Sequence, residues 1–148
     1  MTYSETLDFL FNSLPMYQRQ GKAAYKANLE NTHLLDAAMG HPHRCYLSIH
    51  IAGTNGKGSV SHMLASVLQE AGLKTGLYTS PHLLDFRERI RVDGQPIPEK
   101  DVTGFVERYE EIIRSIRPSF FAMTVARAFA HFAEQKVDVA VIETGLGG

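Results

Sequence analysis

The chain has 148 residues, 44% of them hydrophobic and 21% charged, with a net charge of -1. That is an ordinary globular composition with apolar material for one core, and it gives no electrostatic reason to expect a nucleic acid or an anionic membrane as partner. The one cysteine, Cys45, rules out an internal disulfide; its apolar surroundings predict a small buried hydrophobe and fit a reducing, cytoplasmic setting.

The first ten residues carry Glu5 and Asp8 and no basic start followed by an apolar block, so no export signal is expected, and no apolar run approaches membrane-spanning length. Leu7, Leu10, Phe11 and Leu14 recur at helical spacing until Pro15, predicting a short opening helix. The stretch from Gln18 to Asn28 reads as a loop. Asn31 or Thr32 then caps a second predicted helix through Leu34, Leu35 and Ala38, closed by Gly40.

From Cys45 to Ala52 the sequence is β-prone and runs into a glycine-rich segment from Gly53 to Ser59. Val60, Met63, Leu64, Val67, Leu68 and Ala71 follow as the predicted inward stripe of a helix ended by Gly72, and Lys74 to Thr79 reads as the next strand. A strand-helix-strand unit of this length is parallel and right-handed, so Gly53 and Ser80 should share one edge of a sheet. Arg89 to Val92, Asp93-Gly94 and Gln95 to Ile97 carry a hairpin signal, with Pro96 restricting the second arm to an edge.

A long helix is expected from Pro98 to a stop before Pro118, burying Val102, Phe105, Val106, Tyr109, Ile112, Ile113 and Ile116. Another runs from about Phe121 to Gln135, burying Val125, Phe129 and Phe132; His62 and His131 are read as helix-surface residues. Val137 to Ile142 is a nearly all-apolar strand that delivers Glu143 to its end. The alternation predicts an α/β fold, a mainly parallel sheet flanked by helices, with a helical lead-in over about 1–43 and a phosphate-loop core over about 44–148. Gly145-Leu146-Gly147-Gly148 follows that strand with no covering helix, which reads as a fragment of a longer protein.

The chemistry-bearing residues sit at the strand ends. Gly53, Thr54, Asn55, Gly56, Lys57, Gly58 and Ser59 lie between a strand and a helix, where backbone N–H groups and the helix dipole hold phosphate and Lys57 reaches its terminal oxygens. Their spacing is not G-x-x-x-x-G-K-[ST], because Gly58 separates Lys57 from Ser59. Ser80, in Thr79-Ser80-Pro81-His82, stands where a hydroxyl can touch a metal or phosphate, although Ser-Pro alone is usually only a turn. Glu143 occupies the place of an acidic Mg²⁺-associated residue; the plain alternative is a solvated strand-end carboxylate. Phosphate donors, a hydroxyl and a carboxylate converging on one crevice predict a Mg-ATP site.

Four segments together, Gly-Thr-Asn-Gly-Lys-Gly-Ser at 53 to 59, Thr-Ser-Pro-His-Leu at 79 to 83, Phe-Arg-Glu-Arg-Ile at 86 to 90 and Glu-Thr-Gly-Leu-Gly-Gly at 143 to 148, resemble the folylpolyglutamate synthase and dihydrofolate synthase family of the Mur ligase superfamily. The resemblance runs from about Asn28 to the last residue. It implies an ATP phosphate loop at 53 to 59, Mg²⁺ ligands at Ser80 and Glu143 with Ser59 as a further candidate, and an additional histidine ligand beyond Gly148. It also implies folate or pteroate contacts near Asn28, Leu29 and Glu30, at His82, and along Phe121, Ala122, Met123 and Thr124. Ala122 departs from a family glutamate that would have completed a capping box with Ser119.

The implied reaction is ATP-dependent ligation of L-glutamate to folate or dihydropteroate through an acyl phosphate, in a cytoplasmic, monomeric parent whose C-terminal ligase domain is absent here. Another Mur-type amino-acid ligase, or a nucleotide-binding fragment without catalysis, is the alternative. Arg87, Arg89 and Arg91 read mainly as a solvated strand face. His41 and His43 lack partners at zinc-ligand spacing.

Overall fold

The computed structural model describes residues 1–14, 22–53, 55–80 and 84–143. In chain order its elements are α1 (Tyr3–Ser13), α2 (Lys22–Ala38), β1 (Leu47–Ile51), α3 (Lys57–Glu70), β2 (Thr75–Tyr78), β3 (Ile90–Val92), β4 (Gln95–Pro96), α4 (Glu99–Arg108), α5 (Glu110–Ile116), α6 (Phe120–Glu134) and β5 (Val139–Glu143). Short 3-10 turns at Pro42–Cys45 and Phe86–Arg89 precede β1 and β3. Two compact units result, one from Met1–His41 with Glu99–Arg127, the other from Pro42–Pro98 with Ala128–Gly148.

The first unit is helical. Thr2 caps α1 and Glu5 answers it, the reciprocal pair that satisfies two otherwise orphaned N–H groups. Thr6, Phe9 and Leu10 face inward; the Thr6 hydroxyl donates to the Thr2 carbonyl at 2.8 Å and lies 3.2 Å from the Thr103 hydroxyl of α4, from which it can accept. The guanidinium of Arg127 lies 4.4 Å from the centre of the Phe105 ring and donates to the Asp101 carbonyl at 3.0 Å, which lets a charged side chain sit in the core. Ser119 caps α6 by accepting from Ala122 N–H at 3.0 Å.

Two expectations change here. The segment from Lys22 to Asn28, read as a loop, is the first half of α2, because Lys22, Ala23, Ala24, Lys26 and Ala27 are strong helix formers. Asn31 and Thr32 are therefore helix-interior residues rather than caps. The long helix from Pro98 is interrupted at Tyr109, though its i to i−4 bonding continues through Tyr109 N–H to Phe105 and Ile113 N–H to Tyr109, so the interruption is a local distortion.

The second unit holds one sheet in the order β1-β5-β2-β3-β4. β5 pairs in parallel with β1 and β2, while β3 and β4 add antiparallel to β2. The α/β fold with a mainly parallel sheet flanked by helices is thus observed. Asp93 and Gly94, with φ of 48° and 80°, form the two-residue turn that the Asp-Gly pair favours, and Pro96 lies on the outermost strand where its missing N–H costs no ladder bond.

All five residues of β5 are buried, as a central strand requires, whereas β1 is an edge with Leu47 74% exposed. Cys45, just before it, is exposed, not buried as expected, because it belongs to the 3-10 turn outside the ladder.

α3 covers one face of this sheet with Ser61 and Ala65, flanked by Leu64 and Leu68, against Leu77 and Val141. Most of the predicted stripe is overturned: only Leu64 and Leu68 of it pack toward the sheet, while Val60, Met63, Val67 and Ala71 are exposed, Met63 to 68%. The small Ser61 and Ala65 let the backbone approach the sheet and so select the inward face. On the other face the ring of Phe132 presses on Gly76, and Tyr46 meets Phe132 edge-on at 6.0 Å while its hydroxyl donates to the Phe129 carbonyl. His131 is buried in this packing, a correction to its reading as a surface residue.

Candidate nucleotide site

β1 delivers the chain to a loop whose shape depends on glycine. Gly53 has φ of 142° and Gly56 φ of 74°, backbone conformations that L side chains rarely adopt. Gly56 is the residue before α3 and supplies no side-chain cap, while Val60 N–H returns to its carbonyl at 3.0 Å. The helical ladder therefore starts at once, leaving first-turn N–H groups directed along the axis toward the loop, with the positive end of the helix dipole behind them. The stem of Lys57 folds back so that its Cγ lies 4.0 Å from the point where a Gly53 Cβ would be. Asn55, Gly56 and Ser59 are exposed and Gly58 half-buried; Thr54 lies outside the described residues.

Register fixes what stands beside that loop. Glu143 pairs with Ile51, the last residue of β1, and Tyr78, the last of β2, pairs with Ile142. Continuing that register, Thr79 comes level with Glu143 and Ser80 one residue further. The central strand thus ends in a carboxylate flanked by the glycine loop on one side and by Ser80 on the other.

Glu143 is only 5% exposed, the last residue of the buried strand β5. At such a position a carboxylate is most favourably met by a cation or a hydrogen-bond donor. Among the described residues no group of three His, Cys, Asp or Glu could hold a metal. The donor set is one carboxylate and a neighbouring hydroxyl, which suits Mg²⁺, an ion that keeps waters and shares phosphate oxygens instead of filling an all-protein cage.

The neighbouring strand adds a feature that sequence reasoning missed. The phenol of Tyr78 is pushed up to about 12 by burial, with the Arg89 guanidinium at its hydroxyl acting in the opposite direction and the Glu143 charge adding to the rise. Thr79 N–H bonds to the Arg89 carbonyl at 3.0 Å, anchoring the chain just before Ser80. Arg87, by contrast, is engaged locally with Asp85, in a turn where Glu88 accepts from Leu84 and Asp85 N–H groups. No period or spacing marks Tyr78 as more than a strand residue.

The remaining candidates are placed as follows. His82 lies outside the described residues, as do the side chains of Asn28 and Leu29; Glu30 is exposed on α2. Phe121 is exposed on α6, whereas Ala122, Met123 and Thr124 are buried, the Thr124 hydroxyl donating to the Phe120 carbonyl at 2.7 Å.

No family model matches the chain. A dihydrofolate synthase/folylpolyglutamate synthase of Bacillus subtilis is 40% identical over 134 residues, covering 86% of this chain and 31% of the relative. The crystal structure of a folylpolyglutamate synthase from Thermotoga maritima superposes with a TM-score of 0.85 at 42% identity, over 99% of this chain and 34% of that one. The chain belongs to the folylpolyglutamate synthase and dihydrofolate synthase family. A Mycobacterium tuberculosis folylpolyglutamate synthase solved with ADP superposes equally well, with a TM-score of 0.85 at 34% identity over 99% of this chain and 32% of that one. The chain thus spans about a third of the length of these folylpolyglutamate synthases. Among its described residues no helix is long and apolar enough to cross a membrane.

Proposed function

We propose that this chain is the ATP-binding part of a ligase that joins L-glutamate to the carboxylate of a folate, of dihydropteroate, or of both. The observation that carries this reading is the buried Glu143 at the end of the central strand, between the glycine loop and Ser80. The loop N–H groups from Gly56 to Ser59 would hold the β- and γ-phosphates, and Lys57 would offset their charge. Ser80 and Glu143, with Ser59 at the loop, would hold Mg²⁺, which supplies charge neutralisation on the phosphates.

A carboxylate is a poor electrophile, so it must be activated before an amine attacks. In the proposed reaction a substrate carboxylate oxygen attacks the γ-phosphorus, the bond to the β,γ-bridging oxygen breaks, and ADP leaves. The glutamate amine then attacks the acyl carbon, phosphate departs, and the amine proton goes to solvent or base. Pterin contacts at Glu30, His82 and Phe121 belong to the same proposal, as does a C-terminal domain completing the site.

The test is ATP turnover by the full-length parent with dihydropteroate or tetrahydrofolate plus glutamate, beside Lys57→Ala. Glutamate-dependent ADP formation that disappears in the variant is the expected result, and the active pterin identifies the acceptor. No turnover with either pterin overturns the folate reading in favour of another amino-acid ligase of the same superfamily. The 148-residue chain alone is expected to be inactive in ligation.

A further inference from the structure

We propose that Ser61 is a positioning residue of the phosphate loop, acting through the Lys57–Gly58 peptide; the inference rests on the nucleotide-site reading above. Ser61 is 0% exposed on the face of α3 that packs on the sheet, and its hydroxyl donates to the Lys57 carbonyl at 2.7 Å. That carbonyl and the Gly58 N–H belong to one planar unit, so holding the oxygen also fixes the direction of the N–H on the opposite side. A donor at the oxygen further polarises the N–H and makes it a stronger donor to an anion.

Two observations separate this from a buried hydroxyl that merely takes the nearest carbonyl. One turn further along the same face stands Ala65, equally buried and fully apolar, so the packing against Leu77 and Val141 has no need of a hydroxyl. A serine bonded to the i−4 carbonyl is no gain for the helix itself. At the other end of the peptide, a Cβ on Gly58 would meet nothing within 4 Å, so its missing side chain is not explained by protein packing. It leaves the peptide face open to a ligand.

The experiment compares the full-length parent with Ser61→Ala, Ser61→Thr and Lys57→Ala, titrated calorimetrically with Mg-ADP, and follows the Gly58 amide by ¹⁵N-glycine NMR. Ser61→Ala is expected to weaken ADP about fivefold and to move the Gly58 amide proton upfield with an unchanged melting midpoint, while Ser61→Thr keeps both readouts near wild type. Wild-type ADP affinity and an unmoved Gly58 amide in Ser61→Ala overturn the proposal, as does a lowered melting midpoint that accounts for the weaker binding. If Ser61→Ala does not fold, Ser61→Cys, close in size with a weak donor, takes its place with the same expectation. Wild type that fails to bind ADP refutes the nucleotide reading itself and the role of Ser61 with it.

Discussion

The Phe132 ring occupies the space that a side chain at Gly76 would enter: a Cβ built on Gly76 lies 2.6 Å from Phe132 Cδ1 and 2.8 Å from Cε1. Because Gly76 sits on β2 two residues before Tyr78, this close approach sets how tightly α6 lies on the strand that leads to Ser80. Gly76→Ala is expected to destabilise the chain by about 1–3 kcal/mol through overpacking. In a double-mutant cycle with Phe132→Leu, read from urea denaturation, the two costs should fall short of additive, because the smaller side chain vacates the contested space.

Tyr78 makes stability pH-dependent in the alkaline range. Its phenol is pushed up, chiefly by burial, from 10.0 to about 12. Between these values the unfolded chain releases the proton while the folded chain keeps it, so stability is complete below about pH 10 and falls as pH rises toward 12, by on the order of 2–3 kcal/mol. Denaturation midpoints measured from pH 9 to 11.5 should drop more steeply for wild type than for Tyr78→Phe. Parallel slopes would remove Tyr78 as the cause.

Glu143 is expected to trade stability for ligand binding. Replacing this buried carboxylate by a neutral amide in Glu143→Gln should leave the metal-free chain as stable or up to about 1 kcal/mol more stable. The same change should abolish the stabilisation that Mg²⁺ adds in the presence of ADP, which thermal shift with and without EDTA resolves. A destabilised variant that still responds to Mg²⁺ would contradict the placement of the cation at Glu143.

The two apolar faces of α3 should respond differently. Met63→Lys, on the outward face, is expected to change stability by no more than about 0.5 kcal/mol. Ala65→Leu, which forces bulk against Leu77 and Val141, should cost about 1–3 kcal/mol. Equal costs at both positions would mean that the outward face is also packed.

What the sequence determined by itself were the features written in short-range chemistry. The glycine loop after a β-prone run, the Asp93-Gly94 hairpin with Pro96 at its edge, and the apolar run into Glu143 depend on local backbone freedom and periodicity, and each is legible in the residues alone. The four motifs also carry the family resemblance. The loop expected over Gln18 to Asn28 fails at the same short range where it is described: from Lys22 onward the helix propensity of its alanines and lysines prevails.

Tertiary structure alone decided which side of α3 faces the sheet, that Cys45 is exposed and His131 buried, and that β5 lies between β1 and β2 so that Glu143 falls beside the glycine loop. Sequence periodicity cannot choose between two apolar faces of one helix, because that choice depends on how small residues such as Ser61 and Ala65 let the backbones approach. Strand order is likewise set by long-range pairing: the Ile51–Glu143 register joins residues far apart in the chain. A shared edge for Gly53 and Ser80 follows from the strand-helix-strand pattern, but only the packed sheet puts Glu143 between them.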